Sequence, residues 1–307
     1  MSATLLAVQT LNGLQLGVLL FLIAAGLTLI FGVMDFINLA HGAQYMVGAY
    51  FAAAAHAATG SFYLALLLGL AGSLLLGLVL EVLVFGRLYG RSHLDQVLAT
   101  FGIILFLNEA VRVIWGPAPL SLPPPGVLSG SVPLVNGLLY PVYRLAILLA
   151  GLAVAVLLYF FVTHTRAGML VRAGASNAPM VSALGVNIRR LCMVVFGFGA
   201  MLAGFAGIMA APIVSVESGM GDNLLILAFV VIVIGGIGSI RGAFIGALIV
   251  GLVDTLGRSF ATDAFKLVLS PSAANEVGPA VASMLIYMLM AAILFFSPTG
   301  LFGASAR

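Results

Sequence analysis

Apolar stretches of about 20 residues, the length that crosses roughly 30 Å of hydrocarbon as a helix, recur along almost the whole chain. They fall at residues 8–31, 35–57, 62–84, 94–114, 143–163, 191–214, 223–240, 242–257 and 278–296. The pattern predicts an all-α, polytopic integral membrane protein of about nine transmembrane helices, with eight to ten compatible with the same pattern. Residues 1–307 read as a single transmembrane domain, and the one long polar excursion on the side where most arginines fall is 163–190.

Two junctions between stretches have almost no polar loop. They are Phe31-Gly-Val-Met-Asp-Phe-Ile-Asn-Leu-Ala-His-Gly42 and Gly235-Gly-Ile-Gly-Ser-Ile-Arg-Gly242. Non-helical backbone at membrane depth is tolerated only where protein or a water-filled cavity satisfies it. Gly32, Gly42, Gly235, Gly236, Gly238, Gly242 and Gly246 are therefore candidate hinge or close-packing positions, and at least one helix is expected to be interrupted by glycine. Such interruptions in both halves of a transporter point to an inverted repeat around a pathway.

Composition agrees with the pattern. Hydrophobic residues make up 63% and charged residues 7%, against about 25% charged in a soluble domain. Mean hydropathy is +1.25. The first basic residue is Arg87, so no cationic signal-peptide region precedes the first stretch, and the mature chain is expected to begin near Met1. Lysine occurs once, at Lys266, away from any glycine-rich turn. A Walker A loop needs that lysine beside backbone amides to cradle phosphates, so the chain carries no ATPase site of its own. One cysteine and four dispersed histidines give no metal-ligand spacing, and scattered basic residues give no nucleic-acid face.

The arginines set an orientation. Arg87, Arg91, Arg166, Arg172, Arg189, Arg190, Arg241 and Arg307 alternate onto one side, and that side is expected to be cytoplasmic. The N-terminus is then outside and the C-terminus inside. The proline-rich loop 116–141 lies outside, where it is expected to be stiff and extended.

Three groups of charged residues carry simple expectations. Glu81 would snorkel toward Arg87 and water. Glu109 with Arg112, and Asp254 with Arg258, have the spacing of local ion pairs.

Asp35, Asn38, His41 and Gln44 form the densest polar run in an apolar region and share one face if helical. A polar stripe inside a membrane helix faces a bundle interior or an aqueous cavity. Two readings stay open: the face lines a solute path, or it is a polar clasp between helices or a cytoplasmic helix start capped by Asp35.

Within 163–190, the segment Ser176-Asn-Ala-Pro-Met-Val-Ser-Ala-Leu-Gly185 reads as a short helix. Asn177 caps its start, Pro179 fits its first turn and Gly185 ends it. Met180, Val181 and Leu184 form an apolar edge. A helix this short is unstable alone, so it docks either on a partner or on the chain's own helix ends.

These residues carry a resemblance. Gly26-Leu-Thr-Leu-Ile-Phe-Gly-Val-Met-Asp-Phe-Ile-Asn-Leu-Ala-His-Gly42, Thr165-Arg-Ala-Gly-Met-Leu-Val-Arg-Ala173 with Leu184-Gly-Val-Asn187, Gly235 to Gly246, and Ser297-Pro-Thr-Gly-Leu301 resemble the permease subunits of branched-chain amino acid ABC importers, in the same order. The chain is similar to the shorter of the two permeases in such systems. The resemblance implies a second homologous permease, two cytoplasmic ATPases that hold ATP and Mg, and a periplasmic or surface binding protein. It also implies a bacterial inner (plasma) membrane location. The segment 163–190 then matches the family's coupling loop, with Arg166, Arg172, Asn177, Met180, Val181, Leu184 and Gly185 as coupling residues. One departure stands out: Ser176-Asn177 replaces the acidic pair common after Arg-Ala-x-Ala.

Other classes fit less of the chain. A stand-alone secondary carrier or channel for a small neutral solute needs no ATPase. Gly219-Met-Gly-Asp222 matches a short pattern of intramembrane aspartyl proteases, but Asp222 sits in an acidic loop with Glu217, where capping the next helix is the simpler reading.

Overall fold

The computed structural model describes residues 3–133 and 139–303. Among these, the chain forms ten α-helices: α1 (Ala3–Met34), α2 (His41–Thr59), α3 (Phe62–Leu83), α4 (His93–Trp115), α5 (Val142–His164), α6 (Arg166–Ala183), α7 (Ile188–Ala210), α8 (Asp222–Gly235), α9 (Ile240–Phe265) and α10 (Pro271–Phe296). A short antiparallel pair, β1 (Ser131–Pro133) and β2 (Leu139–Pro141), precedes α5.

Each predicted stretch falls on a helix, but seven helices are long and apolar enough to cross a membrane by themselves: α1, α3, α4, α5, α7, α9 and α10. The other two stretches correspond to α2, which starts at His41 rather than Asp35, and to α8, only 14 residues long. Residues 1–2, 134–138 and 304–307, among them Met1, part of the proline-rich loop and Arg307, lie outside the described residues.

Local chemistry sets most helix starts. Ser61, Ser92, Thr165, Asn187, Ser239 and Ser270 each accept a hydrogen bond from the backbone N–H three residues on, which satisfies one of the orphan donors of a first turn. Neither α2 nor α8 has a side-chain cap. Helix α2 starts inside the bundle at the buried His41, whereas α8 starts with Asp222 and Asn223 exposed.

The two halves of the chain pack alike. Helix α1 packs on α9 as α7 packs on α3, α2 on α3 as α8 on α9, and α2 on α7 as α8 on α1, with α1 and α7 crossing at the centre. Because four passes, α2 to α5, lie between α1 and α7, the halves run in opposite directions. The packing is that of an inverted repeat of α1–α3 and α7–α9, with α10 held on α9 where α4 stands away from α3. At its centre glycines let backbones meet: a Cβ on Gly26 would lie 2.6 Å from the Gly199 carbonyl oxygen, and one on Gly42 2.6 Å from that of Gly221.

Helix α1 and the first part of α2 are buried almost without interruption, from Val18 to Ile30 and from His41 to Tyr50. At the periphery, α4 and α10 turn large apolar side chains outward, such as Phe106 (68% exposed) and Phe295 (82%).

Candidate functional site

The interruption after α1 is a reversal rather than a continued helix. Asp35 adopts φ 48°, uncommon for a residue with a side chain, and the chain returns alongside α1 without helical structure until His41. There the His41 Nε2 lies 3.1 Å from the Ile23 carbonyl oxygen. Ile23 stands about 16 Å of helix rise before the end of α1, so α2 begins deep in the bundle.

The predicted shared helical face of Asp35, Asn38, His41 and Gln44 is therefore corrected. Asp35 and Asn38 lie in the non-helical return, and only His41 and Gln44 are on α2. Asp35 is exposed at the arginine-rich end. Asn38, His41 and Gln44 are buried, with 0%, 0% and 1% exposure. Both polar atoms of Asn38 and the hydroxyl of Thr28 on α1 have no hydrogen-bond partner in the fold, and the Gln44 amide has only the His41 ring beside it. Buried polar atoms left unpaired are costly, so this closed core holds polar groups that a rearranged state or bound water would satisfy.

The return segment is tied to the loop after α3. Phe36 packs against Phe85 and Tyr89, with ring centres 5.3 and 5.6 Å apart, and the Ile37 N–H donates to Gln96 Oε1 at 3.4 Å. Gln96 in turn donates to the Leu88 and Arg91 carbonyls. Beside it, the Tyr89 hydroxyl donates to the Glu81 carboxylate, and burial followed by that carboxylate pushes the Tyr89 phenol up. Glu81 is 2% exposed. The expected snorkelling toward Arg87 is thus corrected: Arg87 bonds the Leu83 carbonyl instead, because a local phenol satisfies Glu81 without exposing it. The sequence reading missed Tyr89 and Gln96, since neither has a spacing signal. They are recognisable only as polar residues flanking a loop that the return segment meets.

The matching interruption lies between α7 and α8, where no glycine cluster had signalled one. Val216 and Leu120 exchange both backbone hydrogen bonds at 2.9 Å, which lays the proline-rich loop over the gap. Pro125 in that loop has the extended φ −61°, ψ 143° expected. The Gly219 N–H then approaches Met46 Sδ at 3.3 Å, and Ser218 donates to the Asn108 carbonyl at 3.0 Å. Asp222 does not cap α8, which is a further correction. It is the first helical residue, and Gly221 holds the cap position because contact with Gly42 leaves no room for a side chain.

The second glycine cluster forms a tight turn. Gly236 and Gly238 adopt φ 98° and 81°, Gly235 and Gly242 pack backbone to backbone, and a Cβ on Gly246 would lie 2.8 Å from the Val231 carbonyl oxygen. Gly32 differs, with its nearest neighbour 3.5 Å from a built Cβ. The segment after α10 folds back on this turn: the Leu301 and Phe302 N–H groups donate to the Ile234 and Gly235 carbonyls at 2.8 and 3.0 Å, which closes two carbonyls at the end of α8.

At the arginine-rich end, α6 is kinked at Asn177 (φ −157°, ψ 86°). The Asn177 Oδ1 accepts from the Met180 N–H at 2.9 Å, and Gly185, at φ 87°, ends the turn. Met180 and Leu184 are 59% and 77% exposed, while Val181 is only 6% exposed. Val181 therefore leaves the expected apolar edge, because one residue step rotates it about 100° away from Met180 into the chain's own interior. Arg166 opens the helix, capped by Thr165, and Arg172 donates to the Val162 carbonyl at the end of α5. The expected ion pairs Arg112–Glu109 and Arg258–Asp254 measure 2.9 and 2.7 Å. Among the described residues, no three His, Cys, Asp or Glu side chains converge as metal ligands.

The model of a family described as branched-chain amino acid transport system, permease component, matches residues 9–294. The chain is 29% identical to the high-affinity branched-chain amino acid transport system permease protein BraD of Pseudomonas aeruginosa, over 96% of this chain and 95% of BraD. It is 28% identical to the Escherichia coli permease protein LivH, over 96% and 94% of the two chains. A shorter match, 32% identity over 31% of this chain, reaches the ribose import permease protein RbsC of E. coli. No solved structure matches. With its helices, its paired interruptions and a family match spanning nearly all of it, the chain belongs to the branched-chain amino acid transport system permease components.

Proposed function

We propose that the chain is the transmembrane permease subunit of an ATP-binding cassette importer. Together with a second homologous permease, it forms the path for branched-chain or related hydrophobic amino acids. Its relatives are named for that transport, and a core with few fixed charges suits a zwitterionic solute with an apolar side chain. The arginine-rich end faces the cytoplasm of a bacterial inner membrane, which puts the N-terminus outside and the C-terminus inside. A periplasmic or surface binding protein delivers solute at the opposite end.

The observation that carries the energy-coupling part is the second half of α6. It is a capped turn with Met180 and Leu184 exposed at the arginine-rich end. Apolar side chains held out on a rigid, capped turn fit a groove on a cytoplasmic ATPase. ATP and Mg stay on that partner, and Arg166, Arg172, Asn177 and Gly185 hold the turn in place. Val181 anchors it from within. In this closed conformation His41, on the Ile23 carbonyl, fixes the return of the chain after α1, and Asn38 and Gln44 beside it remain the candidates for lining the path.

The test is Leu184→Asp. Uptake and co-purification of the ATPases should both be lost while membrane insertion persists; transport with the ATPases still bound would overturn the coupling role.

A further inference from the structure

An apolar groove of about 500 Å³ runs along the side of the bundle between α5 and α9. Phe21 of α1 forms its floor and meets the Phe244 ring edge-on, with centres 5.1 Å apart. Leu152, Val156 and Phe160 of α5 line one wall and are 48%, 48% and 54% exposed. From Leu152 to Phe160 the wall rises about 12 Å, a good part of one membrane leaflet. Helix α5 takes most of its support from α1, with little from α9, so the groove stays open to whatever surrounds the protein.

The lining changes at the arginine-rich end. Arg241, the second residue of α9, is exposed, and among the described residues it has no carboxylate partner. Its Nη2 donates to the Tyr159 hydroxyl at 3.0 Å, and its guanidinium carbon lies 5.2 Å above the Tyr159 ring centre. Together the hydrogen bond and the cation–π contact fix the cation over the mouth of the groove. His164, the last residue of α5, stands close by, with its ring 6.4 Å from that of Tyr159.

We propose that this groove binds one anionic phospholipid, with an acyl chain along Leu152 to Phe160 and the phosphate on Arg241. A carbon-lined channel ending in a single unpaired cation matches a molecule with one charged head and a long apolar tail. Lipid offers the acyl chain the same apolar environment elsewhere, so the preference rests on the net negative charge of the headgroup. An apolar protein helix would leave Arg241 unpaired, whereas a phosphate pairs it through charge-assisted hydrogen bonds.

The purified permease complex, reconstituted into nanodiscs with equal parts phosphatidylcholine and phosphatidylglycerol, provides the test when its retained lipid is read by native mass spectrometry. Both lipids carry a phosphate, but the choline ammonium neutralises that of phosphatidylcholine beside the Arg241 cation, so the wild type should retain phosphatidylglycerol over phosphatidylcholine by about fivefold. Arg241→Gln should abolish that preference and Arg241→Lys should keep it. Val156→Trp, which fills an exposed part of the groove, should reduce retention of both lipids. Equal retention of the two lipids by the wild type, or an undiminished preference in Arg241→Gln, overturns the proposal. So does a photo-crosslinker at position 156 that labels the second permease in place of lipid.

Discussion

His41 joins two points eighteen positions apart in the chain, its ring nitrogen 3.1 Å from the Ile23 carbonyl oxygen in the middle of α1. That contact fixes how far the return segment climbs before α2 begins. His41→Leu should leave the Ile23 carbonyl without this partner and cost about 1–3 kcal/mol. The melting temperature of the detergent-solubilised protein should fall, and uptake with it. An unchanged melting temperature would show that the ring does not hold the segment.

Glycine substitutions should separate close contact from simple helix propensity. Gly42→Ala and Gly221→Ala both place a methyl group against backbone of the other half, an overpacking that costs about 1–3 kcal/mol. Gly32→Ala, in an α1 position with room for a Cβ, should be neutral or stabilise by up to about 1 kcal/mol through helix propensity. Thermal melts of the three variants rank them, and equal losses would contradict the geometry.

Tyr89→Phe should strand the buried Glu81 carboxylate, with a loss of about 1–3 kcal/mol. Adding Glu81→Leu removes the stranded group, so the double variant should recover most of that stability. A double-mutant cycle measures the coupling; additive losses would mean that the pair does not interact.

Much of the fold could be read from the sequence because its signals are local. Runs of apolar residues placed the helices, and Asn177, Pro179 and Gly185 placed the turn within α6. The family resemblance drawn from scattered motifs agrees with the match over residues 9–294. What escaped the sequence depends on contacts between distant segments. The helical period put Asp35 on one face with His41, but a positive φ at Asp35 reverses the chain there. Val181 pairs with Met180 by spacing, yet a single rotation buries it. Nothing in residues 211–221 announced a second interruption, because Val216 is held by Leu120, nearly a hundred positions earlier.

The Leu301 and Phe302 amides that close the end of α8 also set an order of assembly. During synthesis α8 emerges with its Ile234 and Gly235 carbonyls unfilled, and the donors that fill them do not exist until α9 and α10 have been made. The second half of the repeat therefore cannot reach its final packing helix by helix as it enters the membrane. The last two hydrogen bonds at the end of α8 can form only once the segment after α10 has been made.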